Sequence, residues 1–162
     1  MKRWSAVPGH PGGTRRRGRA GHPCADRHGD TPTTRRHILL VGVEPALVNF
    51  DTIPGWDAAS VRAAQRTNRA GLRRLGLTVH TCVLDFEGTT EETLVDTLST
   101  REYACVMVGA GIRAVPENLP LFERVVNAVH RHAPEARLCF NTTPSDTVEA
   151  ARRALDAIER DQ

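Results

Sequence analysis

Lysine is almost missing from this chain: Lys2 stands alone against 21 arginines. From residue 37 onward there is none, so the GxxxxGK[ST] loop that cradles nucleotide phosphates is excluded there. Aromatic residues make up 4 % of the 162 residues, which disfavours a surface that stacks nucleic-acid bases. No apolar run approaches the roughly 18 residues that a membrane-crossing helix needs, so no membrane partner is expected. Cysteine is scarce and badly spaced for chemistry. Cys24, Cys82, Cys105 and Cys139 form no CxxC pair and match no zinc-ligand spacing. Three of the four sit inside apolar runs, as buried reduced thiols of a cytoplasmic protein do.

The charge that is present is divided unevenly. Residues 1–36 hold nine Lys and Arg against two acidic residues, a net of +7. Residues 37–162 hold thirteen Arg against seventeen acidic residues, a net of −4, and the two sum to the chain's +3. The first segment is rich in Arg, Gly and Pro and nearly devoid of aliphatic residues, so it is read as a disordered tail. It lacks the apolar stretch of an export signal. Nucleic acid is expected only as a non-specific partner of Arg15, Arg16, Arg17 and Arg19 in that tail.

From His37 the pattern becomes that of a folded domain. HILLVGV (37–43) is a continuous apolar run of strand length, as a strand covered on both faces requires. Asp57 is placed to cap a helix whose Val61, Ala64, Asn68, Leu72 and Leu75 share one face, with Gly76 as its stop. LTVHTCVLD (77–85) reads as a second strand nearer an edge, and Thr89 with Glu92 forms a capping box for a helix to about Leu98. YACVMVGA (103–110) reads as the third strand. Asn118 is placed to cap the next helix, with Pro120 in its first turn and Leu119, Phe122, Val126 and Val129 facing inward. ARLCFN (136–141) is the fourth strand, and Thr143, followed by Pro144, caps the last helix.

Four strand–helix units with short connections predict an α/β fold: a three-layer α/β/α sandwich on a four-stranded parallel sheet. The two most apolar strands belong in the centre, giving the order 2-1-3-4. That is a flavodoxin-like (Rossmann-like) sheet lacking a fifth strand. A sheet this small leaves apolar surface near its fourth strand or the flanking helices, so a homodimer is expected.

In such a sheet, ligands bind beyond the carboxyl ends of the strands, between strands one and three. Most known sites for that crevice are absent. VGVEPALVNFD replaces the glycine fingerprint of nicotinamide folds. The hydroxyl-rich flavin-phosphate loop, the Asp-x-His-x-x-Gly of cobalamin sites and a GxSxG nucleophile elbow are missing too. Gly109 stands where a receiver domain has its phosphorylated aspartate. No cofactor or metal is therefore assigned. What stands is VMVGAGIRAVPENL (106–119). Gly109 and Gly111 let backbone N–H groups turn inward, and Arg113 offers a forked donor, together an anion pocket for phosphate, nucleotide or carboxylate. Asn141 and Thr142 would orient the ligand, with Glu44 and Glu117 at its border. In the competing reading the glycines only turn a strand into a loop, and Arg113 pairs with Glu44 or Glu117.

Other candidates have structural readings beside chemical ones. Glu123, Asn127 and His130 share a helical stripe, which is either a dyad with a proton carrier or a solvated or dimer-facing surface. Asp51 and Asp57 are acid/base groups or turn and cap residues. His80 is read as structural, and Trp56 as a lid or an anchor of the long loop.

The stretch GAGIRAVPENLPLFERVVNAVHRHAPEARLCFNTTPSDTVEAARR (109–153) resembles a group of short bacterial proteins. They carry Gly-Ala-Gly-x-Arg-x-x-Pro-Glu followed by Phe-Asn-Thr-x-Pro-x-Asp. The likeness spans about residues 37–155. It implies a bacterial cytosolic protein without transferring an activity. It favours Gly109, Gly111, Arg113, Pro116, Glu117, Asn141 and Thr142 as the positions to test. The function expected is binding of a small anion at the ends of strands one and three; the alternative is a non-enzymatic, receiver-like regulatory or protein-interaction module.

Overall fold

A computed structural model describes residues 37–86 and 90–161 of the chain. The tail over 1–36, with Cys24, lies outside the described residues, as does Thr89 of the expected capping box. The elements are β1 (His37–Val43), α1 (Ala58–Arg74), β2 (Thr78–Leu84), α2 (Thr90–Ser99), β3 (Cys105–Val108), α3 (Ala110–Arg113), α4 (Leu119–His132), β4 (Arg137–Phe140) and α5 (Thr147–Arg160). The four strands form one parallel sheet in the order β2-β1-β3-β4. This is the expected three-layer, flavodoxin-like arrangement.

The central strands owe their place to composition. All four residues of β3 are buried, and Ile38, Leu39 and Val41 of β1 are at most 1 % exposed. Alternation sends Leu39, Val41, Val106 and Val108 to one face, where Leu94 and Leu98 of α2 and Leu121, Val125 and Val129 of α4 cover them. Ile38, Cys105, Met107 and Cys139 face the other way, onto Leu72 of α1 and Ala151 and Ala154 of α5. Burial pushes the Cys82 thiol up, keeping it protonated; on Cys139 a hydrogen bond with Cys105 leads and burial adds to it in the same direction.

The caps of α1 follow the sequence closely. Asp57 Oδ1 accepts the Ser60 N–H at 2.7 Å while Ser60 Oγ accepts the Asp57 N–H at 2.9 Å, a reciprocal capping box. Gly76, at φ +78°, ends the helix in the left-handed conformation that glycine adopts without penalty. Near its end α1 comes close to α5: a Cβ on Gly71 would stand 2.7 Å from Val148 Cγ2.

Three expected features differ. Leu75, expected on the inward face of α1, follows its last residue and is 37 % exposed. β3 ends at Val108, because Gly109 opens the short helix α3 where a longer strand was expected. In α4 the inward residues are Leu121, Val125, Ala128 and Val129, and Leu119 is 56 % exposed. Leu119 is the first residue of the helix, in line with the solvent side, so the apolar stripe begins two residues later. No helix among the described residues is long and apolar enough to cross a membrane.

Candidate functional site

The carboxyl ends of β1, β3 and β4 bring Gly109, Arg113 and Asn141 together. The Gly109 N–H continues the β1–β3 ladder by donating to the Val41 carbonyl at 2.9 Å, with an ordinary φ of −67°. A Cβ at Gly111 would meet Val43 Cγ2 at 3.5 Å, ordinary contact distance. Neither glycine holds a conformation closed to other residues, and the Gly109 N–H is taken by the Val41 carbonyl.

Asn141 is the residue that ties this corner. Only 4 % of it is exposed. Its Oδ1 accepts the Ala110 N–H at 2.7 Å, and its Nδ2 donates to Thr147 Oγ1 at 3.0 Å. Its main-chain carbonyl accepts from Arg113 Nη2 at 2.8 Å. A buried amide needs all its partners, and here they come from α3 and α5, which lie in the loops after two different strands. Ile112, wholly buried among Val43, Leu121 and their neighbours, pins the same turn from the apolar side.

The ion pairs considered for Arg113 are replaced by that carbonyl contact. Glu44 instead accepts from Arg62 Nη2 of α1 at 2.6 Å, because its N–H is held against Leu84 O and its side chain turns to α1. Glu117 is exposed on the single 3-10 turn between α3 and α4. Asn118 precedes α4 but makes no side-chain cap; its Nδ2 donates to the Gly111 carbonyl at 2.8 Å and so closes α3 onto the start of α4.

Thr142 and Thr143 belong to a second local network. Thr143 caps a 3-10 turn, Pro144–Asp146, that leads into α5, and Asp146 answers it. The Asp146 carboxylate accepts the Thr142 N–H at 3.0 Å, the Thr143 N–H at 2.9 Å and the Thr142 hydroxyl at 2.9 Å. Burial alone would raise its carboxyl, but those hydrogen bonds outweigh burial and hold it below the usual carboxylate range. The Thr-x-x-Asp spacing is a capping-box signature that could have been read from the sequence. The role of Asn141 could not, since its partners lie 31 and 6 residues away.

Among the other candidates, Glu123, Asn127 and His130 are all exposed, the pattern of a solvated stripe. Asp57 is used as a cap; its hydrogen bonds with Ser60 hold the carboxyl below its usual range. Asp51 is exposed, and its N–H is received by Asn49 Oδ1. Trp56 is half-buried in the loop between β1 and α1. His80 lies in a small ring cluster: its Nε2 is 3.1 Å from His37 Nδ1, and Tyr103 approaches edge-on at 5.8 Å. Burial, then the charge of Arg101 and the neighbouring His37, keep its pKa below the ordinary value.

At the opposite edge of the sheet, two shallow grooves of about 380 and 250 Å³ run beside β4. Arg137 and Leu138 line both; Ile158 adds to the larger, and Cys139, Phe140 and Ala157 to the smaller. No protein-family model matches the chain, and a search of characterised proteins finds no match.

Proposed function

We propose that this domain is a non-catalytic, receiver-like interaction module, and that its partner is a second copy of itself bound along β4. The observation that carries the reading is the open edge of that strand. The Arg137 N–H donates inward to the Ala104 carbonyl, so alternation turns the N–H and C=O of Leu138 and Phe140 outward. The Phe140 carbonyl accepts from Arg153 Nη2 at 3.1 Å, in keeping with that direction. One face of the strand is apolar, with Leu138 and Phe140 packed on the core and Phe140 against Phe122; the other carries buried Cys139 and exposed Arg137, which pairs with Asp161. A two-fold axis at Cys139 places Leu138 of one copy opposite Phe140 of the other, so the outward groups satisfy one another. Meanwhile Asn141 and Arg113 are engaged with each other's elements at the strand ends.

Sedimentation velocity tests this. The full chain should run at twice its 17.8 kDa. Ala157→Arg, which puts a bulky cation in the groove beside Arg137 and Arg153, should weaken the dimer at least about tenfold with an unchanged circular-dichroism spectrum. A wild-type chain that stays monomeric at high micromolar concentration sinks the proposal.

The anion-binding reading keeps one observation in its favour: Arg113 is exposed, and one Nη2 bond to Asn141 leaves the rest of its fork toward solvent, beside exposed Thr142. In a thermal-shift titration with inorganic phosphate and pyrophosphate, wild type should gain melting temperature and Arg113→Ala should not. Equal curves with and without the anions count against it.

A further inference from the structure

The helix α1 carries Arg62, Arg66, Arg69, Arg73 and Arg74 and no acidic residue. No other long helix is like it. α2 has Glu91, Glu92 and Asp96 with no basic residue, while α5 sets Arg152, Arg153 and Arg160 against Glu149, Asp156 and Glu159. Outside α1, residues 37–162 hold eight Arg and seventeen acidic residues, so the positive charge of α1 is not a property of the whole surface.

The geometry of those charges is ordered. Arg62, Arg66, Arg69 and Arg73 are spaced 4-3-4, one line down the helix, and the rise from the first to the last is about 16 Å. All five arginines are exposed. Arg62 reaches Glu44 and Arg69 donates to Thr81 Oγ1 at 2.8 Å. Arg66, Arg73 and Arg74 have no hydrogen-bond or ion-pair partner among the described residues. Like charges at this spacing destabilise a helix by a few tenths of a kcal/mol per pair, about 0.2 to 0.5, so the row is not neutral filling. Between the arginines the exposed residues are small or polar: Ala63, Gln65, Thr67 and Ala70. A flat row of guanidinium groups with no large apolar or aromatic anchor lacks the core of a protein interface and the platform that stacks single-stranded bases. It has what a phosphate backbone requires, which is cationic donors at regular intervals.

We infer that the outer face of α1 is a binding surface for the phosphate backbone of duplex nucleic acid, independent of base sequence. The complementarity is of charge and of line: duplex DNA carries one negative charge per about 1.7 Å of its axis, along which a straight helix can lie. The basic segment before His37 adds charge to the same chain. β1 begins at the end of the sheet where α1 finishes, since His37 pairs with Thr78 of β2.

The test is a fluorescence-anisotropy titration of a mixed-sequence duplex with the full chain at several salt concentrations. Arg66→Gln with Arg73→Gln should lower affinity about tenfold or more near 100 mM salt. It should also reduce the slope of log K against log salt by about 1.8, two contacts at about 0.9 each. Glutamine keeps the helix propensity, and circular dichroism checks the fold. Arg66→Lys with Arg73→Lys should retain most of the binding. Replacing Arg15, Arg16 and Arg17 by Gln should weaken binding and leave the α1 decrement in place. Four results overturn the inference: no binding by wild type at about 50 mM salt, no effect of the α1 glutamines, lysine variants that bind no better than glutamine ones, or equally tight α1-dependent binding of poly-glutamate. The last would assign the face to an acidic protein.

Discussion

Asn141→Leu should be among the most damaging single substitutions in the domain, lowering stability by about 3 kcal/mol. The leucine removes the acceptor of the Ala110 N–H and the donor to Thr147 Oγ1, both in a corner where only 4 % of the side chain meets solvent. Each lost partner leaves a group that water reaches poorly, at roughly 1 to 3 kcal/mol apiece. Against a total stability of about 5 to 15 kcal/mol this is a large fraction. Urea unfolding followed by circular dichroism measures it. Native-state hydrogen exchange adds a sharper readout: the Ala110 amide should exchange much faster, while core amides of β3 speed up only by the global change. A loss under about 0.5 kcal/mol would mean that the corner reorganises and that Asn141 is not its tie. Because Arg113 leans on the Asn141 carbonyl, the same variant also shows how far the position of the exposed guanidinium depends on this buried amide.

Asp146→Ala should come next, at about 1 to 2 kcal/mol near neutral pH, the lower range reflecting hydrogen bonds that solvent reaches. The carboxylate holds two N–H groups and a hydroxyl of Thr142 and Thr143, and so fixes the chain between β4 and α5. Its folded-state pKa lies below the ordinary 3.8. A depressed carboxyl favours the folded state above the unfolded pKa, and that contribution is lost as pH falls through the folded one. The difference in stability between wild type and Asp146→Ala should therefore be flat from neutrality down to the unfolded value, then shrink in more acid solution. A difference that grows on acidification, or none at pH 7, would contradict the network.

These two residues also mark what was legible before the structure. The strands and their order could be read because they rest on composition alone. HILLVGV and YACVMVGA are apolar without interruption, so each must be covered on two faces, and only the centre of a parallel sheet offers that. The caps Asp57 and Gly76 were legible for a related reason, since a cap is satisfied within four residues of itself; Thr143, expected to cap the last helix, caps the 3-10 turn before it. The inward face of α4 differs from the expected one because Leu119 and Leu121 look alike in sequence; only the packing of the helix buries one and exposes the other.

The strand-end site was readable as a list of residues and not as an arrangement. Gly109, Arg113 and Asn141 do converge, but the Gly109 N–H goes to Val41, the Asn141 amide to Ala110 and Thr147, and one Arg113 donor to the Asn141 carbonyl. Glu44 turns away to Arg62, and Asn118 bonds the Gly111 carbonyl where it was expected to cap α4. Each of these is a choice between partners far apart in sequence.

By itself, then, the sequence determined the α/β class, the 2-1-3-4 sheet and the division of charge between a +7 leading segment and a −4 remainder. Those follow from local periodicity and from how much apolar surface each segment must hide. Only the tertiary structure decided that Asn141 is a buried tie, that Leu138 and Phe140 of the edge strand β4 are only partly covered, and that the arginines of α1 share one exposed line. The physical reason is that hydrogen bonds and ion pairs are settled by distance in space, and four arginines become a surface only when the other face of their helix is buried.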